Sequence, residues 1–526
     1  MKILNLSLLI AIIVFVNSLT AQVTGNYDVI KGEQLKLDSR RSGINRMIGS
    51  DESGFYILKW EKRRYFIQHL SKNAKLIKET EFSLREGKVE KTIEFFEEMN
   101  GKIYLLTSYV NEKKKTNYLF YQTINKETLK PDAKVKKIAE YQFDKRNKIG
   151  GYAIQTSDDS TKILIHRYKR QKKNTREELM FLVLNENANV LWSKDITLPY
   201  DAELFTTLRY RVGNDGNVYL LNKVWKDKNE RSKKSETPNY KLEMLKFHNK
   251  GEEMENFEIS IGKKLITDIN YKITANNDLV CAGFYAVKGS LGIKGSCFFT
   301  ISGEDGQISK LKTNEFPLEF ITQEMTEKEE RRHKKKEKKG KSREMLYYDL
   351  DRMILRDDGG ALLIAEQFRF WITTMRSTDN NGNTTTSYTY HYYYRDIIVI
   401  NINPDGSVAW QTKIPKEQYT RDDGGYASSY QFALINNNKL YFIFNDKPAT
   451  AYKAARKKGK NTKREYNKVV MYEVDENGTV KNETLFNTKD YGMLTMPKNS
   501  KQMDSKNVVL YNEYGKQQQF IRISFD

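Results

Sequence analysis

Residues 327–344 read EKEERRHKKKEKKGKSRE, ten basic and five acidic side chains with nothing apolar to fold around. The chemistry open to such a segment is electrostatic: clustered ammonium and guanidinium groups attract polyanions, and salt screens the attraction. The pattern recurs along the chain. Segments 61–64, 112–115, 169–178, 226–236, 288–294 and 453–465 carry net charges of +2, +2, +3, +2, +2 and +6, and 327–344 carries +5. Together they hold +22 against +20 for residues 22–526, so the remainder is slightly acidic. The candidate anion-binding residues are Lys113, Lys114, Lys172, Lys173, Lys233, Lys234, Arg331, Arg332, Lys334, Lys335, Lys457 and Lys458. Trp60 and Trp225 stand beside two of these runs, where a ring could stack on a sugar or base. Tyr390 and Tyr392 offer the same in RSTDNNGNTTTSYTYHYYYRD (376–396), whose alternating tyrosines read as one face of a protruding hairpin. Any single charged loop is an ordinary solvated tip, and rings at strand ends commonly pack between sheets. The collective bias carries the argument.

Other chemistry leaves no recognisable trace. The five histidines are scattered without metal-ligand spacing, and no nucleophile elbow or phosphate-cradling glycine loop occurs. The DNNGN at 379–383 lacks the later glycine and acidic ligand of a calcium loop. No catalytic residue, metal site or cofactor is expected, although carboxylate pairs for glycoside cleavage cannot be read from spacing across a repeat fold. Cys281 and Cys297 are symmetric about Gly289, and a hairpin turning there would set them opposite each other. In an oxidising compartment a disulfide is expected, two buried thiols being the alternative.

The elements that must position these residues are short strands. An Asp/Asn/Gly/Ser turn followed by an apolar-aromatic run recurs eight times, as in DESGFYILKW (51), NDGNVYLLNKVW (214), DDGGALLIAEQF (357) and DSKNVVLYNEY (504). A second turn, such as NENANVLW or NPDGSVAW, follows each of the first seven. Each unit therefore reads as four strands, A to D, with turns between A and B and between C and D. Radially repeated units of this kind specify an all-β propeller of four-stranded antiparallel blades, eight by this count and seven if one irregular unit is miscounted. The eighth unit stops after strand C, while NYDVIKGEQLKLDS precedes the first, so an N-terminal strand is expected to close the ring. In such blades the A–B and C–D turns share one end. The B–C loops and D–A links leave from the other, and every basic segment is one of these.

The start, MKILNLSLLIAIIVFVNSLTAQ, has one cation and a short apolar run, the layout of a secretory signal peptide over residues 1–21. Residues 22–526 then form one propeller domain, with basic insertions at 169–178, 226–236, 327–344 and 453–465 and no transmembrane segment. The turns NPDGSVAW and NENANVLW resemble those of quinoprotein-like propellers, without their cofactor ligands. In repeat style and signal peptide the chain is similar to the secreted β-propeller proteins of bacterial cell envelopes, a resemblance that brings no site residues. The resulting expectation is a secreted or periplasmic, outer-membrane-associated binding or scaffold protein. Its basic loop face would engage acidic polysaccharide, lipopolysaccharide or an envelope protein, nucleic acid being less favoured. The alternatives are a lyase or hydrolase acting on an acidic glycan at the propeller channel, and a structural subunit of an outer-membrane complex.

Overall fold

Each turn signal folds as its residues dictate. In the first, Asp51 Oδ1 accepts a hydrogen bond from the Ser53 amide at 2.9 Å. Gly54 follows with φ of +144°, where a Cβ would lie 1.9 Å from the Leu70 carbonyl oxygen. The next four residues, Phe55 to Leu58, are all buried, so this strand is covered on both faces. Sheets stacked on both sides give near-continuous apolar runs of this kind, as in Ala361–Ala365 of a later sheet.

A computed structural model describes residues 27–38, 43–143, 150–168, 175–227, 240–287, 292–323, 331, 335, 344–436, 438–446, 468–487 and 492–526. The fold is an all-β propeller. Among the described residues, eight sheets of four or five antiparallel strands follow one another at 43–82, 92–142, 151–201, 205–259, 265–315, 348–421, 431–487 and 494–525. Within each, the strands lie in the order A-B-C-D. The eighth takes its fourth strand from the other end of the chain: Tyr27–Lys36 pairs antiparallel with Gln517–Phe525, from Tyr27 opposite Phe525 to Lys36 opposite Gln517. Buried Gln519 reinforces the seam by donating to the Gly32 carbonyl at 2.7 Å.

The core is a series of apolar layers between neighbouring sheets. Tyr219, Met244, Tyr271 and Phe299 fill the layer between the fourth and fifth. Phe55, Ile57, Val509 and Phe520 join the eighth sheet to the first. Strands A of neighbouring sheets pack on one another, 43–51 on 92–99 and 265–273 on 348–355, which makes them the inner strands. Arg46 pairs with Glu97 at 2.7 Å across one such contact. Farther out, Trp192 and Trp410, from the NENANVLW and NPDGSVAW turns, peg one sheet to the next. Their indole N–H groups donate to the carbonyls of Gly216 at 3.1 Å and Glu476 at 2.7 Å. A Cβ on Gly478 would lie 2.7 Å from the Trp410 ring, so this position requires glycine for space as well as for its φ of +79°.

Two sequence expectations meet different outcomes. The tyrosine-rich segment is the return strand of a long hairpin, Ala361–Thr378 paired with Thr384–Ile402. The disulfide is corrected: Cys281 and Cys297 are free, buried thiols. Their hairpin turns one residue beyond the assumed symmetry point, setting Cys281 opposite Phe299 and Cys297 opposite Gly283. The thiols are thus diagonal rather than paired, and burial pushes both up, Cys297 to about 12.

Candidate functional site

The B–C turns of the first two sheets are built from the residues that supply their charge. Lys62 and Arg63, between strands Gly54–Glu61 and Arg64–Leu70, adopt φ values of 48° and 65°. In the turn at 112–115 the Lys114 amide donates to Asn111 Oδ1 at 3.0 Å, and Lys115 takes φ of 49°. Lys113 and Lys114 project from this turn and are exposed, as are Arg331 and Lys335. Lys172, Lys173, Lys233, Lys234, Arg332, Lys334, Lys457 and Lys458 lie outside the described residues. Near the first turn, Lys62 pairs with Asp38 at 3.0 Å and Arg64 with Glu81 at 2.8 Å. Both pairs are exposed and contribute little, so they leave those cations available to another anion.

The four ring candidates divide. Trp60 is 36% exposed. Trp225 is half-buried, edge-on to Tyr240 at 5.3 Å between ring centres, with Lys223 Nζ 4.1 Å from the Tyr240 centroid. Tyr390 is exposed and Tyr392 half-buried, flanking Phe370 on one face of the protruding hairpin.

A second group of polar residues escapes sequence reading and lies at the same end of the sheets, where strands A begin. Strand A of the sixth sheet, Tyr348–Leu355, alternates buried Tyr348 and Leu350 with Asp349 and Asp351. Asp349 stands opposite Glu366 of strand B. Glu366 Oε1 is 2.8 Å from Lys416 Nζ, both side chains being buried, and Glu366 Oε2 accepts from Ser429 Oγ at 2.7 Å. Lys416 also reaches Gln418, whose amide nitrogen donates to the Asn445 carbonyl at 2.6 Å. Tyr430 donates to Asp351 Oδ2 at 2.7 Å. Lys498 donates to the Tyr394 hydroxyl at 2.6 Å, and burial holds Lys498 and Lys416 below the ordinary lysine range. On the fifth sheet Asp268 accepts from the Leu350 amide at 2.9 Å and faces Arg209 at 3.5 Å.

Asp351 is the group of this cluster that titrates near neutrality. It keeps accessible surface, yet protein surrounds it on most sides; burial, then the nearby Glu366 carboxylate, push it up to about 7 against the Tyr430 hydrogen bond and Arg352. The folded state therefore holds a proton there that the unfolded chain releases near 4, so this group's contribution is full at low pH and is lost as pH rises through 7. Asp351→Asn should raise the melting temperature more at pH 8 than at pH 5, read by thermal denaturation at both. An equal change at both pH values would contradict the assignment. Chemically, a carboxyl poised near 7 beside a tyrosine and buried cations can hold a polar ligand group or exchange a proton with it.

YDLDRMI offers a faint signal for the cluster. Two aspartates alternating with apolar residues look like a solvent-facing strand, but that face of the strand is turned toward the seventh sheet, where Asp351 meets Tyr430. Among the described residues no three His, Cys, Asp or Glu side chains group to hold a metal ion, and no helix is long and apolar enough to cross a membrane.

The fold and this site define a β-propeller with a cluster of paired carboxylates, lysines and tyrosines at the end of the sheets where strands A begin. No family model matches the chain, and no curated protein matches it. Among solved structures it is similar to the WD40 domain of SCAP from fission yeast, at 8% identity and a TM-score of 0.38, covering 95% of this chain and 94% of that one. The Dos1 propeller is similar at 8% identity and a TM-score of 0.43, covering 94% of both chains. Prolyl oligopeptidase B from Galerina marginata, bound to a 35mer hydrolysis and macrocyclization substrate, is similar at 10% identity and a TM-score of 0.36, over 92% of this chain and 55% of that one.

Proposed function

We propose that the chain is an exported, non-enzymatic binding propeller whose basic loop end engages an anionic component of the cell envelope, an acidic polysaccharide or lipopolysaccharide. What supports the reading is the sequence count: the seven basic segments that together hold +22 fall between strands B and C or between D and A, connections that share one end of a four-stranded antiparallel blade. Lys113, Lys114, Arg331 and Lys335 are the exposed, described members of that set. Like charge concentrated on one end raises the local concentration of a polyanion and speeds its capture. The test is retention on a heparin column of variants with the cations of 453–465 and 327–344 reversed to glutamate. Elution at much lower salt than the parent chain supports the reading; unchanged elution ends it.

The inner carboxylates favour a second reading, a hydrolase or lyase acting on an acidic glycan that the loops deliver. Asp349, Asp351, Glu366 and Tyr430 lie at the loop end and are the residue types such chemistry uses. Release of reducing ends or unsaturated sugars from an acidic polysaccharide, lost in Asp351→Asn, would establish it. No turnover by the parent chain over a panel of acidic glycans would remove it.

A further inference from the structure

The hairpin of the sixth sheet carries a feature that the basic loops do not explain. Strand A of that sheet pairs with strand B only as far as Tyr348 opposite Gln367. Strand B runs on to Thr378, paired with Thr384–Tyr394 on one side and, among the described residues, with nothing on the other. The free edge spans residues 369–378, nearly all exposed.

The hydrogen-bond phase shows which groups it offers. The Asp379 amide donates to the Asn383 carbonyl, so odd-numbered residues bond across the hairpin. The Phe368 amide donates outward to Tyr347, and Tyr390 bonds outward to Asp422 on the far edge. Phe370, Ile372, Thr374 and Arg376 therefore turn their N–H and C=O groups to the open side.

Natural sheets blunt a long edge with proline, a bulge or an inward-pointing charge. None of these interrupts the pairing from Phe368 to Thr378, whose register is regular. No acidic residue occurs between Gln367 and Thr378 or between Thr384 and Arg395. Arg369 stacks on Tyr347 and Trp371, and no carboxylate pairs with Arg369 or Arg376 among the described residues. Phe370 and Ile372 are exposed on one face of the edge, and Leu346 and Tyr347 at its base.

We propose that this edge, on the B–C hairpin of the sixth sheet, is a strand-addition site for an extended acidic peptide segment of a partner protein, separate from the basic segments at the same end. Backbone groups supply the affinity in this mode, and side chains on alternate positions supply the choice of partner. Charge complementarity fixes the class. A second copy pairing along this edge would bring the same two arginines and no carboxylate, so it lacks the complementary charge.

The test uses the full chain and two fluorescein-labelled probes, (Val-Glu)5 and (Val-Lys)5, read by fluorescence anisotropy. The acidic probe should bind saturably and the basic one should not. Thr374→Pro removes an outward N–H and no hairpin bond, a placement edge strands tolerate. It should weaken binding by about tenfold or more at an unchanged melting temperature. Thr386→Pro, which removes the matching N–H on the opposite edge, should bind as the parent does. Reversal of 453–465 should also leave this binding intact, which separates it from the loop-end reading. Full binding by Thr374→Pro, or equal binding of both probes, would overturn the site.

Discussion

Removal of residues 27–36 should lower the urea midpoint steeply and make the protein prone to aggregation. That strand is the fourth of the eighth sheet, and its loss leaves Gln517–Phe525 as an open edge. The Tyr27 ring against Phe525, 6.0 Å between centres, goes with it, as do Val29 and Leu35 from the layers on either side. Three such side chains and a ladder of main-chain hydrogen bonds imply a loss on the order of 5 kcal/mol or more. Because the strand comes from the far end of the sequence, a synthetic peptide of residues 27–37 added in trans should restore part of the midpoint. An unchanged midpoint after truncation would mean that the seam contributes nothing to holding the ring.

Lys416→Met should have the second large effect, for a different reason. The ammonium is buried against Glu366 at 2.8 Å, and its removal strands a carboxylate where water cannot solvate it. Breaking one side of a buried pair costs about 3–5 kcal/mol. Adding Glu366→Gln removes the stranded charge and should recover much of the loss, with Ser429 still able to donate to the amide oxygen. Chemical denaturation of the single and double variants measures both. A double variant no more stable than Lys416→Met alone would show that packing of the lysine stem, not charge, is what the site needs.

The parts of this molecule that were legible in the sequence are those in which local chemistry decides. Asp51, Ser53 and Gly54 specify their turn within four residues, and the same logic repeated along the chain separates the sheets. The alternating tyrosines from 388 to 394 gave the hairpin because strand periodicity is also local. What stayed hidden depends on register or on distance along the chain. A two-residue shift in pairing, one residue in the position of the turn, separates a cross-strand cysteine pair from the diagonal one observed, and nothing in KGSLGIK fixes which. Glu366 and Lys416 lie fifty positions apart, and Asp351 meets Tyr430 only because the sixth and seventh sheets stack. The free edge at 369–378 was equally invisible, since it exists only because strand A stops at Tyr348 while its neighbour continues.

The most direct measurement is equilibrium binding of the full chain to an acidic glycan, lipopolysaccharide and a neutral glycan at about 50 and about 300 mM salt, since displaced counterions make charge-driven binding fall steeply with salt. If the loop end is the binding surface, the two acidic ligands bind, the neutral one does not, and affinity falls by orders of magnitude between the two salts. Equal binding of the neutral glycan, or affinity for the acidic ligands that does not change with salt, would contradict it.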